Sequence, residues 1–436
     1  MLELESFSSV LPIFWQTIKN WGWIVLPFLL YKPFLLLWLF WKNEVWLKTV
    51  FRPVFLEIKM PKEVLKPIRA MESVMASLHA SVYHPPDWWE KWIEGQLQTS
   101  LSFEVASIDG EPHFYIRIHK AYREAVESSI YSQYPEAEIE EVEDYTKNVP
   151  QNIPNKDWNL FGSDYMPLKP DSYPIKTYSK FETERETKEE KRIDPVASLL
   201  EAMAKIKKGE QLWIQITATP MAQPDLQPTL KKFLKQGEET RDKLARREND
   251  KPKPIIQEAA ELLITGKAAE VSKKEKDIIP PEMKLTPGER EVIAAVEEKI
   301  SKPIFQTNIR FIYLGKRDVW FKPNFRLAFS FFNSYTTINL NAIFPFAKTL
   351  TKIHKSWFLP INIFYSRRSY LRCRKIFRNY KERLTAFFPK DGGTFFLNTE
   401  EMASLFHFPS RTVAPAPSVP RIEAKRGEAP SGLPTE

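Results

Sequence analysis

The stretch LSFEVASIDGEPHFYIRIHK, residues 101–120, decides the reading of the fold. Two runs of strand-forming residues flank Asp109-Gly110, and glycine accepts a positive φ at no steric cost, so the spacing predicts a hairpin of strands over 101–108 and 113–119. In the second strand Phe114, Ile116 and Ile118 alternate with polar neighbours, as one buried face requires. Upstream, residues 54–59 (VFLEIK) alternate in the same way. Pro61 and Pro67 then introduce a helix in which Ile68, Met71, Val74, Met75 and Leu78 recur at helical spacing. Downstream, residues 121–131 read as a helix with Ala125, Val126 and Ile130 on one side, ended by Pro135, and residues 137–142 as a short strand. The order is βαββαβ, the ferredoxin-like split-βαβ arrangement, expected over 53–146. That scaffold says little about activity.

After an expected linker at 147–172, a second unit is expected over 173–409. Residues 173–178 read as a strand, 195–206 as a helix with Asp194 as N-cap, and 211–217 (QLWIQIT) as a strand with Leu212, Ile214 and Ile216 on one face. A charged stretch of Lys, Glu and Gln tracts over about 220–281 has the composition of an exposed helical or disordered insertion. Thr286-Pro287-Gly288-Glu289 is a capping-box start for a helix whose buried stripe is Val292, Ile293, Val296 and Ile300, and 305–314 reads as another strand. The pattern β, α, β, insertion, α, β predicts a second, decorated ferredoxin-like unit. Helices over 321–346 and 367–383 are expected to cover its sheet, and a Pro-rich tail of linker composition occupies 410–436. The fold class is therefore α+β.

At the other end, residues 21–41 (WGWIVLPFLLYKPFLLLWLFW) hold a single charge, Lys32. About 21 residues at 1.5 Å each match a hydrocarbon layer of about 30 Å, so a transmembrane helix is expected here, preceded by an interfacial segment at 1–20. Trp15, Trp21 and Trp23 stand at one end and Trp38, Trp41 and Trp46 at the other, as in interfacial belts. Pro27 and Pro33 would kink the helix without forbidding it. Lys32 at mid-depth calls for a partner helix, hence self-association, or for a tilted or re-entrant path. A secretory signal is the competing reading, but no small-residue cleavage site follows the apolar run. Lys42, Lys48, Arg52, Lys59 and Lys62 follow the segment, whereas Glu3, Glu5 and Lys19 precede it, so the positive-inside bias places the C-terminal bulk in the cytoplasm.

Composition narrows the function classes. The 436 residues include 63 Lys and Arg against 55 Asp and Glu, a net charge of +8 that suits anionic lipid or nucleic acid without requiring either. One cysteine, Cys373, excludes an intramolecular disulfide and a multi-cysteine zinc site. There is no GxxxxGK[ST] phosphate loop, no HExxH and no GxSxG elbow. His113 and His119 flank a strand without a patterned carboxylate or thiol beside them, and Glu140, Glu141, Glu143 and Asp144 read as a solvated strand end. The expectation is therefore no enzyme, no catalytic residue, no cofactor and no metal. The basic run RRSYLRCRKIFRNYKER, residues 367–383, reads as an amphipathic helix with Tyr370, Leu371, Ile376, Phe377 and Tyr380 on its buried side. Its cations Arg367, Arg368, Arg372, Arg374, Lys375, Arg378, Lys381 and Arg383 are the candidate contacts for nucleic acid or lipid, set against the simpler reading of a solvated helix face.

Several motifs in order carry a resemblance: EPHFYIRIHK (111–120), YSQYPEAEIEEVEDYT (131–146), YPIKTY (173–178), KRIDPVASLLEAM (191–203) with GEQLWIQI (209–216), LTPGEREVIAAVEEKISKP (285–303) and LNTEEMASLFHFP (397–409). Together they resemble a family of bacterial membrane-anchored proteins related to the non-motor region of type IV secretion and conjugation ATPases. In that family the anchor and α+β region precede a HerA- or FtsK-like motor that moves DNA or protein. No such motor is present in this sequence. The resemblance therefore implies a stand-alone accessory or split partner at a bacterial cytoplasmic (inner) membrane: a single-pass, non-catalytic scaffold docking a separate motor ATPase or its cargo. The alternative is a membrane-tethered nucleic-acid-binding protein, with DNA as partner, using the basic helix.

Overall fold

A computed structural model describes residues 2–61, 66–181, 194–245, 285–353, 365–384 and 393–409; at 2–15, 17, 18 and 21–25 it describes the backbone alone. Two compact units result, residues 1–52 with 84–98, and residues 53–83 with 99–436.

In the larger unit the sequence generates one nine-stranded antiparallel sheet among the described residues. Its first strands are β1 (Pro53–Lys59), β2 (Leu101–Ile108), β3 (Glu111–His119) and β4 (Glu138–Val142), with helices α2 (Ile68–Val82) and α3 (Arg123–Gln133) between them. The β2–β3 turn has φ of 54° at Asp109 and 92° at Gly110, the pair of positive values that a two-residue hairpin needs. A Cβ at Gly110 would also come within 2.7 Å of the Ile206 carbonyl oxygen. These strands lie in the order β4-β1-β3-β2.

The second half consists of β5 (Trp158–Pro167), α4 (Pro195–Ala204), β6 (Glu210–Met221), α5 (Pro228–Leu244), α6 (Pro287–Ser301), β7 (Ile304–Lys316), α7 (Arg326–Asn333) and β8 (Ile343–Pro345). From the far edge inward its strands run β8-β5-β7-β6. Counted as first to fourth in the chain, β5 to β8 thus repeat the 4-1-3-2 order of β1 to β4. The two halves join edge to edge through β2 and β6, from Leu101 opposite Ala218 to Ile108 opposite Gln211. Helix α8 (Tyr365–Lys381), strand β9 (Thr394–Asn398) and helix α9 (Thr399–Leu405) follow; β9 pairs with Ile304–Asn308 of β7, on the edge whose other end pairs with β5.

All the crossover helices pack on one face. Met71, Val74, Met75 and Leu78 of α2, Val126 and Ile130 of α3, Leu199, Leu200 and Met203 of α4, Phe331 and Phe332 of α7 and Met402 of α9 share one apolar core with Leu56, Phe103, Ile116, Ile214 and Phe311 of the sheet. Each fully buried side chain of this size contributes about 1.5–3 kcal/mol relative to exposure. The opposite face is covered by α8, whose Cys373, Ile376, Phe377 and Tyr380 pack with Leu160, Trp213, Ile312 and Leu314.

Several expected elements differ. Residues 158–167, expected within a linker, form β5, a central strand. Its WNLFGSDYMP lacks a clean alternation because Gly162 and Asp164 occupy positions where strands favour β-branched or aromatic residues. Residues 173–178 are not a strand. Pro174 has no N–H to give a ladder, and the neighbouring amides bond elsewhere: Ile175 N–H to the Glu401 carboxylate (2.8 Å), Lys176 N–H to Tyr335 O (3.1 Å) and Tyr178 N–H to Ser404 Oγ (2.8 Å). Within 321–346 a helix is confined to 326–333 after a short 3-10 turn, and 343–345 is the strand β8. Of the insertion expected over 220–281, β6 takes the first residues and α5 is helical; residues 246–284 and the tail from 410 lie outside the described residues.

In the smaller unit one helix, α1 (Leu2–Thr49), runs through both the expected interfacial segment and the expected span. A π-helical turn at Glu90–Glu94 packs on it. Trp38 Nε1 donates to Trp92 O at 2.9 Å, and Gly95, at φ 79°, sits so close that a Cβ would meet the Lys42 backbone at 2.5 Å. Among the described residues no helix is long and apolar enough to cross a membrane.

Candidate functional site

Helix α8 and three loops of the larger unit frame an open cleft of about 800 Å³. Lys156 comes from the turn before β5, Arg317 and Lys322 from the segment after β7, Lys352 from the segment after β8, and Arg374 from α8. Among the described residues no carboxylate lines this cleft. Lys156, Arg317, Lys322 and Lys352 are exposed and Arg374 is half-buried. Arg317 Nε donates to Asn155 O at 3.0 Å; none of the five makes an ion pair among the described residues. Trp320, Tyr365 and Tyr370 add aromatic rings to the lining. A second depression of about 460 Å³ shares Arg374 and adds Lys375, Arg378 and Lys381, with Glu382 as its one acid among the described residues.

Cys373 also borders the larger cleft. Its thiol faces Leu160 O at 3.6 Å, and burial pushes it up to about 11, which favours the protonated thiol at neutral pH.

The eight cations named from the sequence separate by position. Arg367, Arg368, Lys375 and Arg378 are exposed on α8, while Arg372 donates to Leu350 O (2.9 Å) and Lys381 to Gln151 Oε1 (2.6 Å). Arg383 is a correction. It lies just past the helix end at φ 52°, which turns its side chain under the sheet. There Nε and Nη2 donate to the two Glu104 oxygens (2.9 and 3.0 Å) and Nη1 to Asp144 (2.5 Å). Its side chain is 1% exposed and out of reach of any ligand. Tyr370 and Leu371, expected on the buried side, are exposed, because the sheet meets α8 along Cys373, Ile376, Phe377 and Tyr380 instead. Asp144, expected in a solvated strand end, is the second anion of this pair.

Around Arg383 a polar network fills the α8 side of the sheet. Glu104 also accepts from Ser102 (2.6 Å), Tyr145 (2.5 Å) and Gln215 (3.1 Å), and Tyr145 bonds the Tyr380 hydroxyl of α8 (2.7 Å). Burial alone would raise the Glu104 carboxyl, but the Arg383 guanidinium and these donors hold it below its ordinary value. Beside it Arg310 donates to Asp164 at 2.6 Å. The sequence reading missed this network. The available signal was Glu104 itself, a carboxylate inside a run, Phe103 to Val105, with both faces committed to burial.

Two further clusters tie the C-terminal motif to the core. Asn398 and Glu401 form a reciprocal cap at the start of α9, and Glu401 also pairs with Lys299 at 3.1 Å. Lys302 bridges Glu400 (2.5 Å) and Glu72 (3.1 Å). Asp194 caps α4 through the amides of Val196 and Ala197 and accepts from His407 Nε2 at 2.9 Å, and His407 Nδ1 faces Ala403 O. Burial acts to raise the Asp194 carboxyl; His407 and the two amides outweigh it and hold it below the ordinary value. His113 bonds Glu57 across β1 and β3 at 2.6 Å. Among the described residues no group of three or more His, Cys, Asp and Glu has the geometry to hold a metal ion.

Residues 52–417 match the family model of a domain of unknown function, DUF8128. The chain belongs to this family. No curated protein matches it. The DUF8128 region contains all nine strands, both depressions and the Glu104–Arg383 network, while α1 precedes it.

Proposed function

We propose that the chain is a membrane-anchored, non-catalytic scaffold of a type IV secretion or conjugation-like transfer system, docking a separate motor ATPase or its cargo. The observation that carries the anchor is the surface of α1. Leu26, Phe28, Leu29, Leu30, Tyr31, Phe34, Leu36, Leu37, Phe40 and Trp41 are all between 46% and 80% exposed. Apolar side chains over about 24 Å of continuous helix point outward on every side, a surface that water penalises and lipid tails or a second apolar helix accept. The cations that follow it favour the cytoplasmic side for the bulk of the chain.

The scaffold part of the reading rests on the chemistry of the larger unit. Glu104, Asp164, Asp194, Glu400 and Glu401 are each committed to a cation or to backbone amides, which is how carboxylates serve packing rather than proton transfer. We read each 4-1-3-2 half of the sheet as a ferredoxin-like unit, the second decorated between β6 and β7. The ordered motifs from 111 to 409 support the link to transfer systems.

The test is affinity purification of the detergent-solubilised full-length chain from its native membranes, with mass spectrometry of what accompanies it. Recovery of a separately encoded motor ATPase with channel subunits is the expected result. A chain released by alkaline carbonate, or recovered with no motor, overturns the reading.

A further inference from the structure

We propose that the cleft between α8 and the loops carrying Lys156, Arg317, Lys322 and Lys352 binds single-stranded nucleic acid. This goes beyond the scaffold reading and stands independently of it.

Charge is the first argument. Five cations converge on one concavity, and among the described residues no carboxylate lines it and none of the five is neutralised by an ion pair. The buried cations of the larger unit, by contrast, are spent on partners, as with Arg383 on Glu104 and Asp144 and Arg310 on Asp164. Like charges held together without counter-charges await an anion, and phosphate is the anion that Arg and Lys recognise together.

Shape and length are the second. The two depressions share Arg374 and lie along α8, whose 17 residues extend about 25 Å, more than one nucleotide occupies. Lys375 and Arg378 continue the track past the cleft. A bilayer surface is flat and meets protruding lysines; here the cations line a hollow. The exposed ring of Tyr370 among them offers a stacking face that unpaired bases use and that lipid headgroups do not.

The experiment is fluorescence anisotropy of a labelled oligothymidylate with the full-length chain in detergent, titrated from about 50 to 200 mM salt. We expect binding whose affinity falls linearly with salt on logarithmic axes. Lys156→Glu with Lys352→Glu, both exposed and without an ion pair among the described residues, should weaken it by about tenfold or more and reduce the salt slope by about 1.4, with the urea midpoint unchanged. Tyr370→Ala should weaken it by about tenfold with the slope unchanged. Lys231→Glu, on α5, should have no effect. No binding at the lowest salt, or full binding by the double variant, overturns the proposal. So does the reverse pattern, in which vesicles of anionic phospholipid bind, depend on Lys156 and Lys352, and the oligonucleotide does not.

Discussion

On one face of the sheet Leu56, Phe103, Ile116, Ile214 and Phe311 meet four crossover helices and α9 mainly through apolar contacts; on the other, Glu104, Gln215 and Arg310 project from neighbouring strands into a closed set of hydrogen bonds beneath α8. Both faces are buried, yet they respond differently to damage. Apolar packing is divisible, since each methylene lost costs a fraction of the whole. The polar face is not divisible in that way: removing one partner leaves the other as a buried, unpaired charge. The apolar face makes the sheet bury its helices. The polar face selects what covers it, because Arg383 at the end of α8 and Asp144 after β4 are the groups that complete Glu104.

Breaking that comparison takes one substitution on the polar side. Arg383→Leu strands Glu104 and Asp144 and is expected to destabilise the chain by about 3–5 kcal/mol, read by urea denaturation. Replacing the pair, with Glu104→Leu added, should recover a large part of the loss. If Arg383→Leu costs less than about 1 kcal/mol, the two faces do not differ in kind.

The matching change on the apolar side is Met75→Ala, at a fully buried position of α2. It should cost about 2–4 kcal/mol, and no second substitution on the sheet should restore it. Met75→Leu, which keeps the volume, should cost less than about 1.5 kcal/mol. Recovery on the polar side without recovery on the apolar side is the sharpest form of the contrast.

What the sequence made legible follows the same division. The apolar face could be read directly: the 101–120 hairpin, the stripe Met71, Val74, Met75 and Leu78, and the Thr286 capping box all appear where periodicity and turn chemistry put them. Elements on which the polar face depends were illegible. In β5 the residues facing α8 include Gly162 and Asp164, and their partners Arg310 and Phe311 O lie about 150 residues away in the chain, beyond any local pattern. Arg383 looked like one more cation of a basic helix. Its burial depends on a single left-handed residue past the helix end. The cleft was half legible: Arg374 was named with its helix, but Lys156, Arg317, Lys322 and Lys352 come from loops that converge only in three dimensions.

Acid should act by a smaller margin, through one carboxylate on each face. The Glu104 and Asp194 carboxyls both lie below their ordinary values of 4.5 and 3.8 when folded. The unfolded chain therefore takes up those protons first. Their contribution is fully present above the ordinary values and is lost as pH falls through the lower, folded ones. The urea midpoint should drop as pH is lowered across that window, and Asp194→Asn should flatten part of the drop because it removes one of the two groups. A midpoint independent of pH there would mean that neither carboxylate is held by its partners.

The smallest expected effect lies inside the apolar face and tests how apolar it is. Tyr165 on β5 is fully buried, with its ring 4.2 Å from that of Phe332 and 5.6 Å from that of Phe311, measured between centroids. Its hydroxyl finds no hydrogen-bond partner among the described residues, so the group lost its water on folding and gained nothing in exchange. Tyr165→Phe keeps both ring contacts and deletes that oxygen. It should leave stability unchanged or raise it by up to about 1 kcal/mol, seen as a higher urea midpoint with an unaltered slope. A loss of about 1 kcal/mol or more would mean that the hydroxyl is satisfied in solution, and that a polar group is as closely provided for on this face as Glu104 is on the other.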